Sequence, residues 1–214
     1  MTENEKKEDD SYRRPIIKVI VLGNTNIGKT SLINAYEGKA FTDETLATFG
    51  SQFIKKDLEF NEKIYNVQIW DTAGQEQFRS VNKIYIKGSH VVLFVYDVTN
   101  KKTFTDLKDF WVDYVDKILG KNITKGLIGN KIDLMDNKVE KEEAAEFAES
   151  IEALFSETSA KEHPTGIIDF INICVEDYVS KHADELEESI QGSFSLRHQK
   201  KKHKKDKKDD DGCC

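Results

Sequence analysis

Gly23-Asn24-Thr25-Asn26-Ile27-Gly28-Lys29-Thr30 follows directly on Ile16-Ile17-Lys18-Val19-Ile20-Val21-Leu22, and the junction between them sets the architecture. The first stretch has the pattern Gly-x-x-x-x-Gly-Lys-Ser/Thr, and the second is an apolar, β-branched run that reads as a buried strand. Such a turn aims successive backbone N–H groups, here those of Asn24, Thr25, Asn26, Ile27 and Gly28, into one concavity. The helix that follows adds the positive end of its dipole. Lys29 is placed to reach terminal phosphates and the Thr30 hydroxyl to ligate Mg²⁺. A nucleoside triphosphate is the natural occupant.

The rest of the chain narrows the class. Its 214 residues, 38% hydrophobic and 33% charged with only two prolines, suit one soluble α/β domain with a polar extension. No stretch approaches the roughly 20 apolar residues that cross a bilayer. The acidic start (Glu3, Glu5, Glu8, Asp9, Asp10) is the wrong chemistry for a signal or transit peptide, so a cytosolic chain is expected. Three cysteines, Cys174, Cys213 and Cys214, make no disulfide framework, and Cys174 reads as a small apolar filler. The net charge is −7, yet eight basic residues face four acidic ones between Arg197 and Asp211. An acidic body with a basic tail speaks against nucleic-acid binding by the body.

Short apolar runs alternate with segments of helical period, the signature of βαβ units and a mostly parallel sheet. Strands are expected at Ile16 to Leu22, Gln52 to Phe60, Lys63 to Trp70, Val91 to Asp97, Lys125 to Asn130 and Ala153 to Glu157. Asn61-Glu62 between the second and third is a tight turn and predicts an antiparallel hairpin. Helices are expected at Lys29 to Tyr36, Gln77 to Ile86, Phe104 to Leu119, Lys141 to Glu149 and Pro164 to Lys181. In the last, Ile167, Phe170, Ile171, Cys174 and Tyr178 recur at three- and four-residue steps and face a core.

A second set of residues falls where loops follow these strands, at the sheet edge where doubly wound folds bind ligands. Asp71-Thr72-Ala73-Gly74-Gln75 closes the third strand. Its carboxylate suits a water on Mg²⁺, Gly74 a backbone N–H close to a γ-phosphate, and Gln75 the orientation of an attacking water. Asn130-Lys131-Ile132-Asp133 closes the fifth strand. The two acceptor oxygens of Asp133 match the N1–H and N2–H₂ donors of guanine, a pair that adenine lacks. Ser159-Ala160-Lys161 follows the sixth strand and is placed to present backbone N–H groups to the same base.

Gly23 to Thr30, Thr48, Asp71 to Gln75, Asn130 to Asp133 and Ser159 to Lys161 resemble, in order, the five nucleotide-contact motifs of the Ras superfamily of small GTPases, over roughly residues 14 to 182. Within it the chain is most similar to the Rab family. Ala47 to Phe53, Ile69 to Arg79, Tyr85 to His90 and the terminal Cys213-Cys214 carry that likeness. The resemblance implies an α/β, P-loop NTPase three-layer fold: a six-stranded, mostly parallel sheet with one antiparallel edge strand, and five helices. It implies a membrane-traffic switch that binds GTP and GDP with Mg²⁺ and hydrolyses GTP. Lys29 would bind the β- and γ-phosphates, Ser31 would approach the α-phosphate, and Thr30 and Thr48 would ligate Mg²⁺, with Asp71 holding it through water. Phe41 would lie against the guanine face alongside Asn130, Lys131, Asp133, Ser159, Ala160 and Lys161. Gln75, Thr48 and Lys29 would serve catalysis, and Phe53, Trp70 and Tyr85 would meet effectors.

The same resemblance divides the chain into a disordered acidic extension (1–13), a GTPase domain (14–182) and a disordered basic tail (183–214). Cys213 and Cys214 at its end would carry two geranylgeranyl groups. Two lipid chains hold a protein on a membrane where one is marginal. Intrinsic hydrolysis would be slow, on the order of 10⁻⁴ s⁻¹, with an activating protein supplying up to about 10⁵-fold. The partners implied are an exchange factor, a GTPase-activating protein, effectors, a GDP-dissociation inhibitor, the prenylation machinery and a membrane, with the chain itself a monomer that binds no nucleic acid. Three residues depart from the family pattern: Asn26 where many relatives carry Gly, Thr45 in place of a Tyr, and Gln77 in place of an Arg. Asn enters left-handed backbone more easily than other non-glycine residues, so Asn26 is tolerable. A GTP-binding docking adaptor that hydrolyses poorly is the alternative reading.

Overall fold

The computed structural model describes residues 14–42, 51–72 and 79–188. Six strands form one sheet in the order β2-β3-β1-β4-β5-β6. They are β1 (Ile16–Leu22), β2 (Ser51–Phe60), β3 (Lys63–Thr72), β4 (Val91–Asp97), β5 (Thr124–Asn130) and β6 (Ala153–Thr158). β1 lies between β3 and β4 and is parallel to both, with Val19 opposite Ile69 on one side and Val91 on the other. β5 and β6 continue the parallel ladder, and only β2, paired with β3, is antiparallel. The sheet is the one expected, with strand ends displaced by two residues at most.

Burial explains the order. Every residue of β4 and β5 is buried, as befits central strands covered on both faces. β3 alternates buried and half-buried positions from Tyr65 onward, the pattern of a strand nearer the rim. The β2–β3 connection is as tight as expected, because Asn61 and Glu62 both take left-handed backbone (φ 51° and 60°). Two consecutive positive φ values give the turn whose twist matches a two-residue hairpin.

The helices are α1 (Lys29–Glu37), α2 (Arg79–Ile86), α3 (Lys101–Asp106), α4 (Val112–Leu119), α5 (Lys141–Ser150) and α6 (Pro164–Lys181). Among the described residues the one helix expected over Phe104 to Leu119 is two, because a π-helical turn, Leu107–Trp111, divides that stretch into α3 and α4. That stretch also begins at Lys101 rather than Phe104, since the Asn100 side chain accepts the Lys102 N–H and caps the helix three residues earlier. Such a cap stabilises by about 1 kcal/mol. Packing adds more: Phe104, Leu107, Trp111 and Val115 join Phe94, Tyr96 and Leu127 in the core, at roughly 1.5–3 kcal/mol for each large side chain buried. Residues 16–178 make up one compact unit. In the other unit the helical backbone of 179–181 is followed by a bend at His182 and further helix over 183–188. Leu186 there is buried, and its N–H is bonded to the His182 carbonyl.

Gly126 of β5 lies under α6. A Cβ there would stand 2.8 Å from Leu93 Cδ2 and 3.0 Å from Cys174 Sγ. Burial pushes the Cys174 thiol up to about 12, so it stays protonated and acts as packing. Gly126→Ala is expected to destabilise the fold by about 1–3 kcal/mol through overpacking, read as a lowered urea midpoint with an unchanged slope.

Candidate functional site

All five parallel strands run the same way, so the loops after β1, β3, β4, β5 and β6 emerge at one edge, and the strand order reverses around β1, the point at which open α/β sheets bind ligands. The loop after β1 is built for close approach. A Cβ on Gly23 would lie 2.3 Å from the Val95 carbonyl oxygen, and one on Gly28 (φ 91°) would lie 2.4 Å from Asn130 Nδ2. Asn26 takes φ 66°, the left-handed conformation that asparagine tolerates. Lys29 is buried and folds back over the loop, its ammonium donating to the carbonyls of Gly23 (3.2 Å) and Asn24 (2.7 Å). Ile27 is buried beneath the turn, Thr25 and Asn26 are exposed, and Ser31 is half-buried in the first turn of α1.

Thr30 and Asp71 meet across this loop. The Thr30 hydroxyl donates to Asp71 Oδ2 at 2.7 Å, joining the start of α1 to the end of β3. Thr72 beside it donates its hydroxyl to the Val21 carbonyl at 2.7 Å, which ties that end of β3 to β1. A hydroxyl and a carboxylate are hard oxygen donors, and Mg²⁺ is commonly held by one or two such groups together with substrate phosphates. The donor set fits that ion.

The loops after β5 and β6 join the first loop through Asn130. Its Nδ2 donates to the Ile27 carbonyl (2.8 Å) and its Oδ1 accepts the Ala160 N–H (3.2 Å). Lys131, in left-handed backbone at φ 72°, donates through Nζ to the Asn26 carbonyl (2.6 Å) and pairs with Asp97 Oδ2 (2.7 Å). Asp133 accepts the Ser159 hydroxyl at 2.6 Å, and that same oxygen accepts the N–H groups of Lys161 and Glu162. The Ser159 hydroxyl is therefore fully used, and the Asp133 carboxylate keeps acceptor capacity for a donor pair. Phe41 is partly exposed, with Lys161 Nζ 5.7 Å from its ring centroid.

On β2, β3 and α2, Phe53 stacks on Trp70 (4.8 Å, 17°) and Trp70 tilts against Tyr85 (6.0 Å). Lys18 Nζ caps the Trp70 ring at 4.9 Å while donating to the carbonyls of Tyr85 and Lys87. Phe53 remains 45% exposed, so this cluster reaches the surface. Thr45, Thr48, Gly74, Gln75, Gln77, Cys213 and Cys214 lie outside the described residues.

A scan against protein families matches residues 18–177 to the Ras family. The chain is 36% identical over 191 residues to "GTP-binding protein YPT1" of Saccharomyces cerevisiae, covering 88% of each chain. It is 39% identical to "Ras-related protein Rab-1" of Theileria annulata (68% of this chain, 67% of that protein). It is 37% identical to "Ras-related protein Rab-1A" of Dictyostelium discoideum (69% and 73%). The chain belongs to the Rab family of the Ras superfamily. As a member of that family it is a GTP hydrolase, and proteins of the family generally use Mg²⁺.

In this Rab-family chain three contributors escaped the sequence reading. Asp97 closes β4 and holds Lys131; its position at the same strand edge was the available signal. Asp106 and Trp111 reach Asn24 of the phosphate loop, acceptor and donor at 2.5 Å and 3.3 Å respectively, from a helix whose π turn the sequence pattern does not announce. Burial opposes ionisation of Asp97, but hydrogen bonds from Lys131 and Thr99 outweigh it and hold the carboxyl below its ordinary value. Its contribution to stability is therefore complete above about pH 4 and is lost as the pH falls through the lowered value. Asp97→Asn is expected to flatten that acid limb in thermal unfolding measured from pH 6 down to 3, while the parent retains it.

Proposed function

We propose that this protein is a membrane-anchored switch of vesicle traffic that binds GTP and GDP with Mg²⁺ and hydrolyses GTP slowly alone and faster with an activating protein. The single observation that carries the reading is the Asn130 bridge, which joins the phosphate loop to the Ser159–Lys161 loop beside a carboxylate suited to guanine. The names of the relatives, "GTP-binding" and "Ras-related", support it.

The residues divide the work. Backbone N–H groups of Asn24 to Gly28, with Lys29 and Ser31, hold the phosphates; they cost no reorganisation because the loop is already tied by Lys29 and Asn130. Asp133 pairs with the guanine edge, Asn130 and Lys131 shape the floor, Ser159, Ala160 and Lys161 close the rim, and Phe41 covers a face of the base. Thr30, Thr48 and Asp71 would hold Mg²⁺, which when bound neutralises charge on the β- and γ-phosphates. Gln75 orients the water, Gly74 senses the γ-phosphate, and release of the segments around Thr48 and Gly74 on hydrolysis is what partners read. An exchange factor, a GTPase-activating protein, effectors, a GDP-dissociation inhibitor and the prenylation machinery are the partners this cycle requires. The exposed stack of Phe53 on Trp70 and Tyr85 supports an effector surface.

Anchoring rests on Cys213 and Cys214 as carriers of two prenyl groups. Among the described residues no helix is long and apolar enough to cross a membrane. Replacing both cysteines by serine is expected to move the protein from the membrane pellet to the soluble fraction of a cell expressing it. In calorimetric titration GDP is expected to bind about 10⁴-fold more tightly than ADP. Asp133→Ala is expected to reduce that ratio by about ten- to hundredfold, the loss of a charged hydrogen-bond acceptor. Equal affinities for the two nucleotides in the parent would overturn the reading.

A further inference from the structure

The π turn between α3 and α4 places two side chains on the phosphate loop that an α-helix would keep apart. Residues five apart in an α-helix point about 140° away from each other at 3.6 residues per turn. Here Val112 N–H bonds to the Leu107 carbonyl, five residues back, and the widened turn lets Asp106 and Trp111 converge on one target. That target is the Asn24 side chain. Trp111 Nε1 donates to Asn24 Oδ1 at 3.3 Å, and Asn24 Nδ2 donates to Asp106 Oδ2 at 2.5 Å. An indole N–H only donates and a carboxylate only accepts, so the pair dictates which way the amide faces. Lys102 pairs with Asp106 at 2.9 Å and steadies the carboxylate from the solvent side, while Trp111 is 3% exposed and held in the core.

Asn24 in turn accepts the Lys29 ammonium on its backbone carbonyl at 2.7 Å. The chain of contacts thus runs from the core through Trp111 and Asp106 to Asn24, and from Asn24 to the lysine that meets the phosphates. We propose that Asp106 and Trp111 are positioning residues that clamp the Asn24 side chain and thereby set how long the phosphate loop retains its nucleotide. The assignment rests on the nucleotide reading of the site and adds to it a determinant outside the five contact motifs. π turns concentrate where helices meet functional sites, and this one has a stated job.

The test is release of fluorescent GDP from the full-length protein into excess unlabelled GDP at constant Mg²⁺. Asn24→Ala and Trp111→Phe are each expected to speed release about five- to tenfold, the loss of roughly one net hydrogen bond. Their combination is expected to release no faster than the faster single variant, because both cut the same contact. Asp106→Asn, which keeps an acceptor facing Asn24, is expected to stay within about twofold of the parent, whereas Asp106→Ala joins the fast group. The Asn24→Ala and Asp106→Ala pair repeats the cycle at a side chain outside the core, so a folding defect in Trp111→Phe leaves the question answerable. Parental release rates in the single variants, or single effects that multiply in the double variants, overturn the proposal while leaving the nucleotide reading intact. Failure of the parent to hold guanine nucleotide would instead sink the functional reading itself.

Discussion

One side-chain amide holds the site together. Asn130 is 2% exposed, and its two ends are committed in opposite directions, one to the carbonyl of Ile27 and the other to the N–H of Ala160. An unpaired amide at that depth would cost about 1–3 kcal/mol, so both loops are drawn to it. The absence of a side chain at residue 28 follows from the same constraint, because the space a Cβ would need is occupied by this amide. Three loops far apart in sequence are therefore fixed relative to each other before any ligand arrives, and the polar groups at that edge of the sheet inherit that order.

The left-handed backbone at Lys131 belongs to the same design. Non-glycine residues pay roughly 1–2 kcal/mol for such a conformation. At Lys131 the ammonium recovers this by meeting the Asn26 carbonyl and the Asp97 carboxylate, both within 2.7 Å. Strain of this kind persists where surrounding contacts over-determine it, and here those contacts connect the ends of β4 and β5 with the phosphate loop.

Much of this was legible in the residues alone. Ile16–Leu22 and Val91–Asp97 stand out as strands because parallel strands covered on both faces read as near-continuous apolar, β-branched runs. Asn61-Glu62 was readable as a hairpin because it leaves only two residues between two strand-like runs, the commonest hairpin connection. Thr30, Asp71, Asn130 and Asp133 could be named because their spacing after strands leaves few alternatives for their chemistry. The helical stretch from Lys101 to Leu119 was harder. Its buried positions, Phe104, Leu107, Trp111 and Val115, step by three or four as in any amphipathic helix, so nothing in the periodicity marks the π turn. Asp106 was missed for a related reason: a carboxylate on the polar side of a helix looks like solvated surface until the fold supplies its partner.

The sheet's one antiparallel strand has a consequence for the molecule's neighbours. β2 is a rim strand, and Lys55, Lys56, Asp57 and Glu59 along it are exposed. A foreign backbone laid beside it would have to desolvate charges of both signs to extend the ladder. Self-templated strand addition, the route to fibrillar aggregation, is thereby blocked at the side of the sheet where hydrogen-bonding groups would otherwise invite it.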